Sequence, residues 1–357
     1  MTARLFATMS HYERLETERR SPRGRLFVSD YNGGHPYVEE YLGELADTAP
    51  LRLGDVSRYA AIDEDWELRT RIAELHDRFD GVKYRPEQVV PSGGSSSLLG
   101  TLCTWLMLSG HRQIHYLPPV YYKFAYLFRR FGIAPVPVSD HHAFQPAFDL
   151  RLPARKTVLV LTDPIWYAGL RIPAEVLDAV RAWQLATGSL VIVDGTFQYM
   201  RWDGHVAETS STLVPEQTLR LVCPTKYLSL HGYRCAYLLT PEHLRDELAD
   251  LHLNLHGDVP LSDRLFAHRV CDLMTGPGNR SLTRLARHNY RRLVDGGALG
   301  PHLPIETGYF VFTRIRAPRE EFLYFDQHSF ELDGHPEHIR VNLLNSAAVD
   351  ALLSAAG

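Results

Sequence analysis

Lysine is scarce in this sequence. The 357 residues include four lysines against thirty-four arginines, and the formal net charge is −4. This charge balance excludes the strongly basic surface with which proteins bind nucleic acid or an anionic membrane. Because arginine replaces lysine almost everywhere, the position of each remaining lysine is informative, and that of Lys226 most of all.

Cysteines and long apolar runs are also few. The four cysteines are scattered, at none of the spacings of a disulfide framework or a zinc site, which is typical of a reducing compartment. The longest apolar stretch, residues 98–108, is too short to cross a bilayer, and residues 1–20 lack the apolar region of a signal peptide. We therefore expect a soluble cytoplasmic protein that binds neither nucleic acid nor a membrane.

Apolar strands alternate with helical segments from about residue 45 to residue 240. Residues 157–161 and 190–193 are apolar throughout, as strands buried on both faces are. The alternation predicts an α/β fold with a mostly parallel sheet sandwiched by helices. Helical patterns follow at 241–255 and 261–295, and then a short α/β segment. The predicted parts are an N-terminal arm at 1–44, a large domain at 45–255 and a small C-terminal domain at 256–357.

Lys226 follows one of the apolar strands, residues 219–223, and Arg234 comes eight residues later. A lysine at the end of a buried strand with a basic neighbour is the usual form of a Schiff-base nucleophile, because such surroundings lower the pKa of its amine. A surface lysine that happens to follow a strand is the alternative. Functional residues gather at the carboxyl ends of strands in parallel sheets, which favours the first interpretation.

Polar and aromatic residues follow other strands. The loop of residues 92–97 joins a strand to a helix, and its glycines and serines suit an anion, although serines before a helix also act as caps. Asp194 ends an apolar strand, where it can hold a protonated ring nitrogen or simply turn the chain. Tyr121 can stack on a ring or belong to the core, and Arg234 can bind a phosphate or lie at the surface.

Taken together, these signals match the requirements of pyridoxal 5′-phosphate. This cofactor needs a lysine for an imine, a carboxylate beside its ring nitrogen, an aromatic plane and a phosphate site. The chain supplies these groups from the ends of successive strands. In chain order they are the phosphate loop at 92–97, the aromatic Tyr121, the carboxylate Asp194 and the amine Lys226. We expect Lys226, Asp194 and Tyr121 to be the catalytic residues.

Three motifs carry a family resemblance. They are the spacing of eight between Lys226 and Arg234, the segment from Asp163 to Gly169, and the arginine of the run at 338–341. From about Gly34 to its end, the chain resembles the fold-type I pyridoxal phosphate enzymes, specifically the class I/II aminotransferases.

The resemblance implies an aspartate-aminotransferase-like fold and a set of site residues. The implied cofactor contacts are Tyr59, Gly94, Ser95, Ser96, Tyr121, Trp166, Asp194, Phe197, Thr225, Lys226 and Arg234. Arg340 falls on the arginine that binds the substrate α-carboxylate, and Gly34 lies where the N-terminal arm covers that carboxylate. Tyr59 falls on the tyrosine that reaches the phosphate of the neighbouring subunit, so the resemblance also implies a homodimer.

Two positions depart from the family pattern. Trp166 and Phe197 stand where the family has an asparagine and a tyrosine, the two usual hydrogen-bond donors to the phenolic oxygen of the cofactor. Three groups are candidates to replace these donors: the indole N–H of Trp166 and the hydroxyls of Tyr167 and Tyr199. The sequence between residues 313 and 339 is also short for the family, which predicts a remodelled or more open substrate pocket.

The resemblance implies amino-group transfer from an α-amino acid through a Lys226 Schiff base, with a keto acid as a second substrate, in specialised metabolism. A lyase or cyclase on the same scaffold is the first alternative, since Asp194–Phe197 and Arg287-His288-Asn289 resemble the capreomycidine-synthase branch. A cofactor-binding protein without turnover is the second. The histidine pairs at 252/256 and 335/338 lack cysteines or carboxylates at ligand spacing, so we expect no metal.

Overall fold

A seven-stranded sheet organises the molecule. The computed structural model describes residues 15, 17–18, 25–30, 35–43, 66–142, 148–204, 207–317, 319–330, 332 and 334–357. In chain order, the strands are β1 (Leu26–Phe27), β2 (Val89–Ser92), β3 (Gln113–Tyr116), β4 (Ala134–Pro137), β5 (Val158–Thr162), β6 (Leu190–Gly195), β7 (Thr218–Val222), β8 (Ala236–Leu239), β9 (Phe310–Thr313), β10 (Phe322–Leu323) and β11 (Ile339–Asn342).

Helices follow most of the strands. In chain order they are α1 (Val38–Leu42), α2 (Trp66–Asp80), α3 (Ser95–Leu108), α4 (Tyr122–Arg130), α5 (Ala174–Thr187), α6 (Pro224–Tyr227), α7 (Arg245–His256), α8 (Leu261–Thr275), α9 (Arg280–Asp295) and α10 (Ser346–Ala356). None of the helices in the described ranges is long and apolar enough to cross a membrane.

The large sheet has the strand order β2-β8-β7-β6-β5-β3-β4. Strands β3 to β7 pair in parallel, whereas β8 runs antiparallel to both of its neighbours. The predicted mostly parallel sheet is therefore confirmed. Because β2, β5, β6 and β7 all point the same way, their carboxyl ends meet at one edge, and the start of β8 lies at that same edge.

The apolar side chains of the central strands alternate between two cores. Val158 and Val160 of β5 pack in a cluster that also contains residues of α3 and α4. Leu159 and Leu161 point the other way, into a second cluster that contains residues of α5. Every residue of β5 is buried, which explains why the strand is apolar without interruption.

Two small sheets lie outside the large one. Strands β9 and β11 pair antiparallel, with Arg340 opposite Phe312, and β1 pairs in parallel with β10. The N-terminal segment thus packs on the C-terminal part of the chain. The seven strands of the large sheet fall within residues 89–239, while the boundaries of the domains predicted at 44 and 255 stay a prediction.

The predicted helix at 261–295 is wrong in one respect, because the structure divides it into α8 and α9. The break is at Gly276-Pro277-Gly278, where proline offers no backbone N–H and Gly278 has a φ of +67°. Helix α7 also begins at Arg245, after a 3-10 turn over Glu242–Leu244, so the helix predicted from residue 241 begins later. A pattern of apolar residues runs through such breaks and does not reveal them.

Candidate active site

One cavity at the carboxyl edge of the large sheet brings most of the predicted site residues together. It has a volume of about 310 Å³. The predicted residues that line it are Ser95, Ser96, Tyr121, Trp166, Asp194, Phe197, Lys226 and Arg234. These residues are far apart in sequence and meet because the strands that precede them end side by side.

Lys226 lies on α6, the short helix that begins where β7 ends. Burial lowers the pKa of its amine to about 8, and the nearby cations Arg234, Arg340 and Lys123 add to the effect. The amine therefore loses its proton far more readily than an ordinary lysine, as a nucleophile at neutral pH requires. Its Nζ lies 3.3 Å from Nδ1 of His231 and 5.9 Å from the ring centre of Phe197.

Asp194 is buried at the end of β6, between Thr162 and Leu221 of the adjacent strands. Its Oδ1 accepts a hydrogen bond from the backbone N–H of Thr196, at 3.2 Å. Burial nevertheless raises the pKa of the carboxyl to about 6. A buried carboxylate of this kind is stabilised by a positive charge, so the position suits a protonated ring nitrogen.

The N-terminus of α3 forms an anion site together with Arg234. Gly94 precedes the helix with a φ of +127°, and a Cβ at this position would lie 2.9 Å from Nη2 of Arg234. Only glycine allows the guanidinium to come this close to the backbone. Ser95 and Ser96 open the helix, where free backbone N–H groups and the helix dipole favour an anion.

Lys123 is a second cation at this anion site, and the sequence did not suggest it. It lies in the first turn of α4 and lines the cavity, and its Nζ donates to Oγ of Ser96 at 3.0 Å. Burial lowers the pKa of Lys123, and Arg234 lowers it further. The scarcity of lysine was a signal that could have identified it, since two of the four lysines line one cavity.

Aromatic rings form much of the cavity wall. Trp166 stacks on Phe197, with ring centres 5.7 Å apart and an angle of 24° between the rings. Tyr121 meets Trp166 edge-on at 6.0 Å. Trp166 and Phe197, the two departures from the family pattern, thus both lie in the cavity and pack against each other.

The two tyrosines considered as replacement donors do not line the cavity. Tyr199 donates to Oδ2 of Asp80 at 2.7 Å and contacts Nδ1 of His76 at 2.8 Å, in a buried network outside the cavity lining. Tyr167 stacks on Phe330 with ring centres 4.5 Å apart. Of the three candidates, Trp166 alone is among the residues that line the cavity.

Thr225 belongs to the turn beside the cavity, and its contact with the cofactor stays a prediction. Its hydroxyl lies within hydrogen-bond distance of the carbonyl oxygens of Tyr233 and Cys235, at 2.9 and 3.1 Å, and the residue does not line the cavity. Thr225 therefore fixes the turn that carries Lys226, and Cys223 lines the cavity instead. Gly34 and Tyr59, the other predicted contacts, lie outside the described residues.

Arg340 is fully buried beside the cavity rather than in its lining. Its Cζ lies 4.2 Å from the ring centre of Phe310, 4.9 Å from Phe325 and 5.4 Å from Trp166. One guanidinium nitrogen donates to the carbonyl oxygen of Ser29. Ser29 follows β1, so Arg340 lies next to the N-terminal segment.

The segment between residues 313 and 339 forms part of the cavity wall, and the remodelled or more open pocket expected there stays a prediction. Phe325, Ser329 and Phe330 line the cavity from this segment. Phe330 also lies 5.7 Å from Cζ of Arg340. The segment reaches the site through its aromatic side chains, which its length alone does not predict.

Comparisons with known proteins agree with this geometry. Residues 27–355 match the family model of aminotransferase class I and II. An arginine–pyruvate transaminase of Pseudomonas aeruginosa is 27% identical over 304 residues, which are 80% of this chain and 73% of that protein. A probable aspartate/prephenate aminotransferase of Thermus aquaticus is 26% identical over 191 residues. These residues are 52% of this chain and about half (49%) of the Thermus protein.

Solved structures show the same fold. An aspartate aminotransferase double mutant of Thermus thermophilus has a TM-score of 0.76 at 18% identity, over 99% of this chain and 98% of that one. An Escherichia coli protein with a methionine aminotransferase function has a TM-score of 0.77 at 15% identity, over 98% and 95%. The chain has the aspartate-aminotransferase-like fold, and it belongs to the class I and II aminotransferase family.

Proposed function

We propose that this aminotransferase uses pyridoxal 5′-phosphate, carried by Lys226, to move the amino group of an α-amino acid to a keto acid. The observation that carries the proposal is that Lys226, Asp194 and the anion site at the start of α3 line one cavity. These are the three groups that the cofactor requires. The relatives are named as aminotransferases, so the lyase or cyclase alternative is not favoured.

The described residues fit the cofactor. Its phosphate suits the site formed by Gly94, Arg234 and Lys123, because only a glycine leaves room for the guanidinium there. Asp194 would hold the ring nitrogen, and Tyr121 would offer its ring as a stacking partner, since both line the same cavity. When bound, the cofactor supplies an aldehyde for the amine of Lys226 and a ring that accepts an electron pair from the substrate Cα.

Lys226 moves the proton at the substrate Cα. Its pKa is lowered to about 8, so the amine accepts and returns a proton without a large energetic cost at neutral pH. Burial raises the pKa of the Asp194 carboxyl to about 6, so a cation close by stabilises its charged form.

Arg340 binds the α-carboxylate of the substrate. A guanidinium held in a fully buried place presents two parallel N–H donors, which match a carboxylate. The rings around it exclude water and strengthen this ion pair. A substrate whose carboxylate is held there has its Cα in the adjoining cavity.

The substrate side chain faces Phe325, Phe330 and Trp166, all of which line the cavity beside Arg340. Among the described residues, the charged groups that line the cavity are those assigned here to the cofactor. We infer that a large apolar or aromatic side chain is preferred, because a charged one has no described partner at this wall. The names printed for the relatives and solved structures mention arginine, aspartate, prephenate and methionine, so they do not point to one class of side chain.

In this proposal the protein is a homodimer, and Tyr59 of each subunit reaches the phosphate site of the other. The protein works in the cytoplasm, in a biosynthetic pathway of specialised metabolism. The support is the resemblance of the sequence around Tyr59 to the family. A mixing experiment tests it. Tyr59→Phe and Lys226→Ala each lose activity, and refolding them together restores part of it if the site is shared between subunits.

Reduction of the holoenzyme with borohydride, followed by peptide mass spectrometry, tests the central assignment. The expected result is a cofactor adduct on Lys226 and its absence in Lys226→Ala, whereas Lys156→Ala, which removes an exposed lysine, keeps it. The near-visible absorption band should bleach with an amino acid and return with a keto acid. An adduct on another lysine, or a band that no amino acid changes, overturns the proposal.

A further inference from the structure

His231 lies in direct contact with the amine of Lys226. Its Nδ1 is 3.3 Å from Nζ of Lys226, and its other ring nitrogen, Nε2, is 3.4 Å from Oγ of Ser229. Ser229, His231 and Lys226 therefore form a chain of polar contacts within one turn. His231 was not among the residues singled out in the sequence.

The protonation of His231 follows from its surroundings. Burial lowers the pKa of its imidazole to about 2, and the charges of Lys226 and Arg234 add to the effect. His35 and Arg340 also face it and act in the same direction. A neutral imidazole has one N–H and one acceptor nitrogen. Since a lysine ammonium only donates, Nδ1 is the acceptor and the proton of His231 is on Nε2, directed to Ser229.

The turn that carries these residues is held firmly. Ser229 has a φ of +52°, a conformation that non-glycine residues adopt when their surroundings impose it. The backbone N–H of Ser229 donates to the carbonyl of Lys226, and that of Leu230 donates to the carbonyl of Thr225, both at 3.1 Å. Nε2 of His35 lies 3.0 Å from the carbonyl oxygen of Leu228. The backbone of the turn therefore holds the Cα atoms of Lys226 and His231 close together, so that their side chains can meet.

We propose that His231 is the positioning residue of Lys226: its neutral imidazole accepts one hydrogen bond from the amine, and so directs the rest of the amine toward the cavity. The inference rests on the proposed function of Lys226. An acceptor also stabilises the ammonium form, which Arg234, Arg340 and Lys123 destabilise by their charges. His231 thus opposes these cations and keeps Lys226 able to hold a proton as well as release it.

The test measures the pKa of Lys226 in the cofactor-free protein. With ¹³C-labelled lysine the chain gives four Cε signals, and that of Lys226 is identified by its loss in Lys226→Arg. In His231→Phe the acceptor is gone, and we expect the pKa of Lys226 to fall by about one unit, the equivalent of one hydrogen bond. The turnover number should fall about tenfold, with little change in KM.

Two further variants keep the test decisive if His231→Phe does not fold. Asparagine places an oxygen near the position of Nδ1, whereas glutamine places its polar atoms near Nε2. The pKa of Lys226 in His231→Asn should stay close to that of the parent, and in His231→Gln it should fall. Equal values in both variants, or no change in His231→Phe, overturn the inference.

The outcome is separable from that of the proposed function. The pKa measurement uses neither cofactor nor turnover, so it stands even if no amino acid is a substrate. If the parent protein transfers amino groups and the variants leave the pKa of Lys226 unchanged, the inference about His231 alone is wrong. If the pKa shifts as expected and no amino transfer is found, the proposed function alone is wrong.

Discussion

Nζ of Lys123 donates a hydrogen bond to Oγ of Ser96 at 3.0 Å and so links the first turn of α4 to the N-terminus of α3. With Arg234 beside Gly94, this contact gives the anion site two cations from separate parts of the chain. Burial lowers the pKa of Lys123, and repulsion from the positive charge of Arg234 lowers it further. Binding of a phosphate group relieves this repulsion.

Loss of Lys123 should weaken cofactor binding. In Lys123→Gln a charge-assisted hydrogen bond to the phosphate disappears, which corresponds to about 1.5 to 3 kcal/mol, or roughly a tenfold to hundredfold rise in Kd. Titration of the cofactor-free protein with pyridoxal phosphate, followed by absorption, measures it. Lys156→Gln removes the same charge from an exposed position and serves as the control. Equal affinities in the two variants would contradict the role of Lys123.

Asp194→Asn should stabilise the cofactor-free protein in a pH-dependent way. The pKa of Asp194 is about 6 in the folded protein, above its ordinary value of 3.8, so folding favours the neutral form. The charged form costs up to about 3 kcal/mol above pH 6, and the cost vanishes below about pH 4, where the group is neutral in both states. Urea unfolding of parent and variant at several pH values checks this.

The same variant should lose most of its activity. Asparagine carries no charge to hold a protonated ring nitrogen, and we expect kcat/KM to fall by about a hundredfold or more. A variant that is more stable without cofactor and nearly inactive with it would show that Asp194 is kept for chemistry at the expense of stability. If Asp194→Asn stabilises the cofactor-free protein equally at pH 4 and pH 8, the buried charge of Asp194 is not what lowers the stability of the parent.

Arg340→Lys should impair binding of the substrate carboxylate while cofactor affinity is retained. Lysine keeps the charge and loses the two parallel donors, so we expect kcat/KM for an α-amino acid to fall by roughly a hundredfold. With an amine that has no carboxylate, parent and variant should differ little. Steady-state kinetics with both substrates measures the difference, and an equal loss for the two would point to damage elsewhere.

Phe330→Ala should reduce the preference for apolar side chains. The variant removes a ring that lines the cavity and lies 5.7 Å from Cζ of Arg340. We expect kcat/KM for phenylalanine to fall about tenfold or more relative to that for alanine, since roughly 1.5 to 3 kcal/mol of burial is lost. Tyr324→Ala, in the same segment but outside the cavity lining, is the control. A parent enzyme that prefers aspartate or arginine over phenylalanine contradicts the proposed preference.

Tyr199→Phe should affect stability and not the cofactor. The tyrosine hydroxyl donates to Asp80 in a buried network that also contains Arg220, whose Nη1 lies 2.8 Å from Oδ2 of Asp80. Loss of a hydrogen bond to a buried charged group costs about 1.5 to 3 kcal/mol of unfolding free energy. The absorption spectrum of the bound cofactor should be unchanged. A shift of the band would mean that Tyr199 reaches the cofactor after all.

The sequence itself determined the alternation of strands and helices along the part of the chain that forms the large sheet. Uninterrupted apolar runs such as 157–161 predict buried parallel strands, and the residues that follow them predict where Lys226 and Asp194 lie. This works because burial on both faces makes each run apolar throughout, and the alternation of strands with helices favours parallel pairing. The same reasoning placed Gly94 and Arg234 at one edge of the sheet, and the structure has them in contact.

Only the tertiary structure decided which side chains complete the site. Lys123 and Phe330 reach the cavity from elements that carry no motif of their own, and Tyr199 turns away from it because Asp80 and His76 offer partners elsewhere. The contact of His231 with Lys226 depends on the left-handed backbone of Ser229, which no spacing predicts. Side-chain direction is set by packing between elements distant in sequence, and that information exists only in the folded chain.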